Sequence, residues 1–188
     1  MIWIYFLASY LLGSIMFGFV ISKIFYQVDI RSQGSGNVGA RNAGRLHGKL
    51  AFVVIFLGDA LKGAVVVLIA RYFQFAEPVQ LVGLALAIIG HLKPVTLRFK
   101  GGKGISTFIG GMITFEPLLV PVILLSFGLL YPFIRSFTLA GLGTFLIIPL
   151  FLFYRNNDVL SFIIEIALVV MILLAHTENV KERLKRNG

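Results

Sequence analysis

Apolar runs at about 2–25, 50–70, 79–97, 105–115, 117–134, 137–154 and 159–177 take up most of this 188-residue chain. Roughly 20 consecutive apolar residues cross a bilayer as a helix, and only helices and closed barrels satisfy their backbone groups in lipid. Hydrophobic residues make up 58% of the sequence and the mean hydropathy is +0.93. A soluble domain is about 45–50% apolar. The expectation is an all-α integral membrane protein, a bundle of seven transmembrane helices forming one domain over residues 1–188. No linker, internal repeat or low-complexity segment interrupts it. The opening Met1-Ile2-Trp3-Ile4-Tyr5 carries no basic stretch, so residues 2–22 read as a retained span and not as a cleaved signal peptide.

The fourth run is short. At ~1.5 Å per residue, residues 105–115 reach about half the hydrocarbon thickness. They form either a short helix of their own or the first half of a long helix kinked at Pro117. The charges discriminate. With seven spans and the N-terminus outside, the inner segments hold Lys23, Arg31, Arg41, Arg45 and Lys49, then Lys93, Arg98, Lys100 and Lys103, then Arg135, then four basic residues of the C-terminal tail. Only Arg71 and Arg155 fall outside, and Lys62 lies within a span. Fusing runs four and five moves Arg135 and the tail outside. The positive-inside bias therefore favours seven spans with a cytoplasmic C-terminus, and it puts every unusual polar loop on the cytoplasmic face.

Two of those loops are rich in glycine. Residues 34–45 read Gly-Ser-Gly-Asn-Val-Gly-Ala-Arg-Asn-Ala-Gly-Arg. Glycines let backbone N–H groups approach a ligand, successive N–H groups form an anion-binding nest, and arginine grips phosphate with a planar fork. The second cluster is Gly90-His91-Leu92-Lys93-Pro94 followed by Phe99-Lys100-Gly101-Gly102-Lys103-Gly104, ending where the fourth helix begins. A helix N-terminus favours an anion, and Lys103 sits at that mouth. Glycine follows Lys103, so this is not a nucleotide P-loop. A third cluster, His176-Thr177-Glu178-Asn179, closes the last span with His176 and Asn179 on one helical face. Within the second span Asp59 and Lys62 stand three residues apart, the spacing of a structural ion pair, and Glu165 lies mid-way along the seventh. Ser136 reads as an N-cap at the start of the sixth helix.

Several chemistries are missing. The chain has no cysteine, so disulfides and thiolate chemistry are excluded. With three histidines and no ligand cluster, no metal or cofactor is expected. No histidine has an aspartate five residues on, and neither H-E-x-x-H nor G-x-S-x-G occurs. The polar loops hold many donors and cations and few carboxylates, which suits an anionic substrate handled by electrostatics.

Taken together and in order, these motifs resemble the membrane glycerol-3-phosphate acyltransferases that use acyl-phosphate as donor, the bacterial PlsY family. The matching segments are residues 34–45, Asp59-x-x-Lys62-Gly63, residues 90–104 and His176-x-x-Asn179. Arg41 and Lys93 depart from the family pattern, which has a small hydroxyl residue and an aromatic there, and Arg183 takes no assigned role. The resemblance implies transfer of a fatty acyl group from acyl-phosphate to the 1-hydroxyl of glycerol 3-phosphate. The products would be lysophosphatidic acid and phosphate, made for phospholipid biosynthesis at the inner face of the bacterial cytoplasmic membrane. Partners would be the two substrates and membrane lipid, without nucleic acid.

On that reading the candidate catalytic residues are Ser35, Arg45, Lys103 and His176. The candidate substrate-binding residues are Gly34, Gly36, Asn37, Gly39, Asn42, Gly101, Gly102, Gly104, Thr107, Ser136 and Asn179. Ser35, Asn37 and the 34–39 amides would hold the acyl-phosphate head. Arg45 and Lys103 would neutralise the phosphates, and His176 with Asn179 would position glycerol phosphate. Either neutral His176 or the donor's own phosphate oxygen would act as base. No acyl-enzyme on Ser35 is expected, because no general base neighbours it in sequence. The alternative class is a transporter or exchanger of a phosphorylated metabolite, to which the cationic loops and intramembrane charges are also suited.

Overall fold

Every one of the seven apolar runs is helical in the computed structural model, which describes residues 1–177. Four stretches are long and apolar enough to cross a membrane: Ile2–Phe25, Lys49–Tyr72, Glu77–Leu97 and Phe137–Asn156. Three shorter apolar helices, Ile105–Phe115, Leu119–Ile134 and Val159–Leu174, accompany them. The chain divides into two compact units, the first being Met1–Phe115 and the second beginning at Glu116.

The first unit contains α1 (Ile2–Gly13), α2 (Phe17–Phe25), α3 (Ala40–His47), α4 (Lys49–Tyr72), α5 (Glu77–Leu92) and α6 (Ile105–Phe115). Its helices pack backbone to backbone through small residues. A Cβ on Gly63 would strike Thr107 O, and one on Gly110 would strike Ala60 O, so α4 and α6 touch closely at two levels. Such contacts suit a bilayer, where apolar burial gives helices little reason to associate and close van der Waals packing must. One buried cluster joins Met16, Ile30, Val38, Ala43, Ile55 and Leu97, tying the first polar loop to α2 and α4. Another joins Tyr5, Val66, Ala70 and Ala87.

Run 2–25 is not one helix. It breaks at Ser14–Met16, where Met16 turns to an extended backbone (φ −101°, ψ 91°) before α2 begins. A break at membrane depth frees carbonyls that lipid cannot satisfy. Two side chains from elsewhere satisfy them with three hydrogen bonds. Lys62 Nζ donates to Gly13 O at 3.0 Å and Ile15 O at 2.7 Å, and Thr96 Oγ1 donates to Ser14 O at 2.8 Å.

The second unit contains α7 (Leu119–Ile134), α8 (Phe137–Phe145), α9 (Ile147–Asn156) and α10 (Val159–Leu174). Helix α6 stops at Phe115 and α7 starts at Leu119, so runs four and five are separate helices. The 137–154 run is divided at Leu146. Asp158 caps α10 by accepting from Leu160 N and Ser161 N. Glu116 accepts from Leu118 N and pairs with Arg155 at 3.4 Å. Ser136 does occupy the N-cap position of α8, but its hydroxyl makes no capping hydrogen bond. The backbone turns there without it, because Arg135 in the left-handed region (φ 49°) has already closed α7.

Candidate active site

The first polar segment divides into a loop, 34–39, and the helix α3, which the mixture of glycine and polar residues hides from a periodicity reading. The loop is entered through a short 3-10 turn, Ile30–Ser32, capped by Asp29. Arg31 pairs with Asp29 at 2.6 Å and lies over the Phe19 ring, 5.0 Å from its centroid. The guanidinium beside it holds the Asp29 carboxyl down at about 2, so the turn is anchored by a charged carboxylate at any working pH. Gly34 (φ 58°) and Gly36 (φ 70°) then take left-handed conformations that a side chain resists.

Buried Asn42, on α3, fixes the loop's shape. Its Oδ1 accepts from Ser35 N at 3.0 Å, and its Nδ2 donates to Gln33 O at 3.1 Å. Both ends of the amide serve the loop itself. Gly34 packs directly on Asn42 Oδ1, so a Cβ there would collide. Ser35 is exposed, and Gly36, Asn37 and Gly39 are half-buried on the rim. Gly39 is the N-cap of α3, whose positive dipole end therefore points at the loop. Arg41 and Arg45 stand four apart on the same face of α3. Burial, and then the neighbouring Arg45 charge, pull the Arg41 guanidinium below its ordinary value. Like charges at this spacing cost a few tenths of a kcal/mol in a helix, and an anion removes the cost.

The second loop lies in the same unit. It leaves α5 after Leu92, makes a 3-10 turn over Val95–Leu97, and passes through two successive left-handed non-glycine residues, Arg98 (φ 54°) and Phe99 (φ 62°). Each such residue costs on the order of 1–3 kcal/mol, and the surrounding bonds hold the pair in place. Phe99 N donates to Pro94 O at 2.9 Å and Lys100 N to Leu97 O at 3.2 Å. Gly101 and Gly102 then lie against His91. Gly102 N donates to His91 O at 3.0 Å, while a Cβ on Gly101 would strike His91 O and one on Gly102 the ring Nε2. Only glycine permits that approach. Lys103 is half-buried, Gly104 (φ 79°) is buried, and α6 starts at the next residue.

Beneath this loop sits a buried polar group that the sequence displays only in part. Asp59 and Lys62 form the expected ion pair, at 2.9 Å. His91 completes the group, with Nδ1 3.0 Å from Lys62 Nζ and 3.6 Å from Asp59 Oδ1. The three residues are 0%, 2% and 2% exposed. A lysine ammonium has only donors, so Nδ1 accepts and the ring proton sits on Nε2. Buried Thr107, on α6, brings its Oγ1 within 3.5 Å of the same Nδ1, which places it under the loop and beside His91. His91 carried a signal in the sequence, being a histidine where an apolar run meets a glycine loop. Its partner is 29 residues away, and no local pattern links them.

The remaining candidates belong to the second unit. His176 is buried, and its Nδ1 lies 2.8 Å from Ile172 O. A carbonyl only accepts, so Nδ1 carries a ring proton. Ser136 begins α8. Asn179 lies outside the described residues. Among the described residues no group of His, Asp and Glu is arranged to hold a metal ion.

Comparison with known proteins extends over nearly the whole chain. Residues 3–186 match the family model described as glycerol-3-phosphate acyltransferase. Glycerol-3-phosphate acyltransferase 1 of Bacillus thuringiensis subsp. konkukian is 42% identical over 175 residues, covering 93% of this chain and 96% of its own. The protein of the same name from Desulfitobacterium hafniense is 34% identical over 182 residues, covering 97% and 90%. The crystal structure of PlsY, an integral membrane glycerol 3-phosphate acyltransferase, in its glycerol 3-phosphate form superposes with a TM-score of 0.90 at 34% identity, covering 98% of this chain and 92% of that one. Its lysophosphatidic acid form gives 0.87. The chain belongs to the glycerol-3-phosphate acyltransferase family.

Proposed function

We propose that this protein transfers a fatty acyl group from acyl-phosphate to the 1-hydroxyl of glycerol 3-phosphate, releasing lysophosphatidic acid and phosphate for phospholipid synthesis. The observation that carries this reading is the likeness, across 98% of the chain, to a protein solved in forms with glycerol 3-phosphate and lysophosphatidic acid. The two braced glycine loops of the first unit support an anion at each, and both substrates present phosphate. In the reaction the glycerol oxygen attacks the acyl carbonyl carbon, the bond between that carbon and the bridging oxygen breaks, and phosphate departs with the electron pair. The leaving group is already good. The protein's part is to hold two anions together, worth roughly 7–11 kcal/mol as orientation, and to support charge on the carbonyl oxygen.

Ser35, Asn37 and the amides of 34–39 take the acyl-phosphate head, in a loop whose shape Asn42 maintains. Arg45 and Lys103 neutralise the phosphates. His176, with Asn179, positions glycerol phosphate. The whole acts as one acyltransferase domain with seven spans, the N-terminus outside, the C-terminus inside and the loops facing the cytoplasm. The distribution of basic residues supports that orientation. The location is the bacterial inner membrane.

The proton of the attacking hydroxyl goes to the departing phosphate, which these donor-rich, carboxylate-poor loops hold nearby. Replacing His176 by alanine tests this. We expect a raised KM for glycerol 3-phosphate with kcat reduced less than tenfold. A fall in kcat of about 10²–10⁴ at unchanged KM is the signature of a general base, and would assign the proton to Nε2 of His176.

The donor is tested by offering acyl-phosphate, acyl-CoA and acyl-carrier protein side by side to the purified enzyme with glycerol 3-phosphate. Acyl-phosphate should support the reaction and the thioesters should not. Equal or better use of a thioester overturns the assignment.

A further inference from the structure

The Asp59–Lys62–His91 group has no part in the chemistry just described, yet it joins the break in the first span to the second glycine loop. Its ammonium is fully engaged. Four partners on three separate stretches of chain lie within 3.0 Å of Lys62 Nζ: Gly13 O and Ile15 O at the break, Asp59 on α4 itself, and His91 Nδ1 on α5. The same His91 then supports the loop from below through its backbone carbonyl and its ring.

We propose that Asp59, Lys62 and His91 are positioning residues for the acyl-transfer reaction, setting the height of the Gly101–Gly104 loop and hence the place of Lys103. This rests on the reading of that loop as a phosphate cradle. The chain of contacts is short. Lys62 fixes the tautomer and the ring plane of His91, because Nδ1 must face the ammonium. The fixed ring leaves one position for Gly102, whose α-carbon lies against Nε2 with no room for a methyl group. Gly102 in turn precedes Lys103 directly, and Gly104 starts α6. A tilt of the His91 ring therefore shifts the backbone beside the cationic side chain by a comparable amount. Misplacement of a reacting group by about 1 Å can cost on the order of 10²-fold in rate. Thr107 stands 3.5 Å from the same ring nitrogen and leaves little room for the ring to turn.

The test compares His91→Leu with His91→Asn, measuring kcat per folded molecule after size-exclusion purification in detergent, together with the melting temperature. Leucine fills similar space but accepts no hydrogen bond. Asparagine offers a side-chain oxygen near the position of Nδ1, and so retains the bond from Lys62. Expected is a fall in kcat of tenfold to about 10²-fold for the leucine variant, with most of that loss recovered in the asparagine variant at similar melting temperature. If both variants lose folded protein but the folded fraction turns over at the wild-type kcat, the group is structural only and the proposal is overturned. A leucine variant with unchanged kcat overturns it equally. Failure of the functional reading is distinct, since the wild-type protein would then form no lysophosphatidate at all.

Discussion

Alanine at Arg45 or at Lys103 is expected to lower kcat/KM about 10²–10³-fold, the range seen when one preorganised donor to a developing charge is removed. Both residues stand in the first unit on braced backbone, Arg45 in the last turn of α3 and Lys103 between glycines at the mouth of α6. Size-exclusion purification and melting temperature will establish that each variant is folded before its rate is compared. Conservative exchanges should separate their roles. Lysine at 45 keeps the charge but loses the two-pronged grip on phosphate, and should recover only part of the rate. Arginine at 103 keeps the charge but carries it on a longer, planar fork, and should recover only part of the rate. Steady-state kinetics with both substrates varied will decide. Near-wild-type rates in the folded alanine variants would remove these residues from the cradle.

The largest expected effect on stability is at Lys62. Lys62→Met leaves the Asp59 carboxylate buried without its partner, and breaking a buried pair in this way costs about 3–5 kcal/mol. It also strips the donors from Gly13 O and Ile15 O, where the first span is broken. Each buried carbonyl left unsatisfied adds roughly 1–3 kcal/mol. The double variant Asp59→Asn, Lys62→Met should recover the charge part of the loss and not the backbone part. Thermal unfolding in detergent tests both. A Lys62→Met protein as stable as wild type would mean that the break carries its own satisfaction and the buried group holds nothing together.

The helices were legible because lipid demands length and apolarity, which are written locally. Every apolar run became helical, two of them as two helices each, and the separation of α6 from α7 was signalled by the sign of the flanking charges. What was hidden depends on distant partners. The run Ile2–Phe25 is apolar enough to read as one span, and only the Gly13-Ser14 pair within it stands at the break at Ser14–Met16. The break is tolerated because Lys62 and Thr96 arrive from 47 and 82 residues away. Helix α3 was hidden for another reason. Its eight residues include glycine and two arginines, so its apolar stripe is short, only Ala40, Ala43 and Leu46, and its stability comes from that face packing onto the cluster around Ile55.

The site shows the same division. Glycines at 34, 36, 101, 102 and 104 were recognisable as loop formers from composition, and the left-handed φ at Gly34, Gly36 and Gly104 gives the reason for three of them. At Gly101 and Gly102 the reason is the closeness of His91, which only the folded chain reveals. The sequence presented Asn42 as a substrate-binding candidate, and the fold adds that the two ends of its amide close the 34–39 loop. Substitution Asn42→Ala would thus disturb the cradle through its shape. The Asp59–Lys62 pair was written at helical spacing, while the contact between Lys62 and His91 was not.

The most direct test of the account is to measure both products at once. Purified protein in detergent micelles, with no sealed compartment, is given acyl-phosphate and glycerol 3-phosphate, and phosphate and lysophosphatidate are followed together. The account predicts that both appear in equal amounts, and only when both substrates are present. Phosphate released without lysophosphatidate, or no turnover unless the protein is sealed into vesicles, would contradict it.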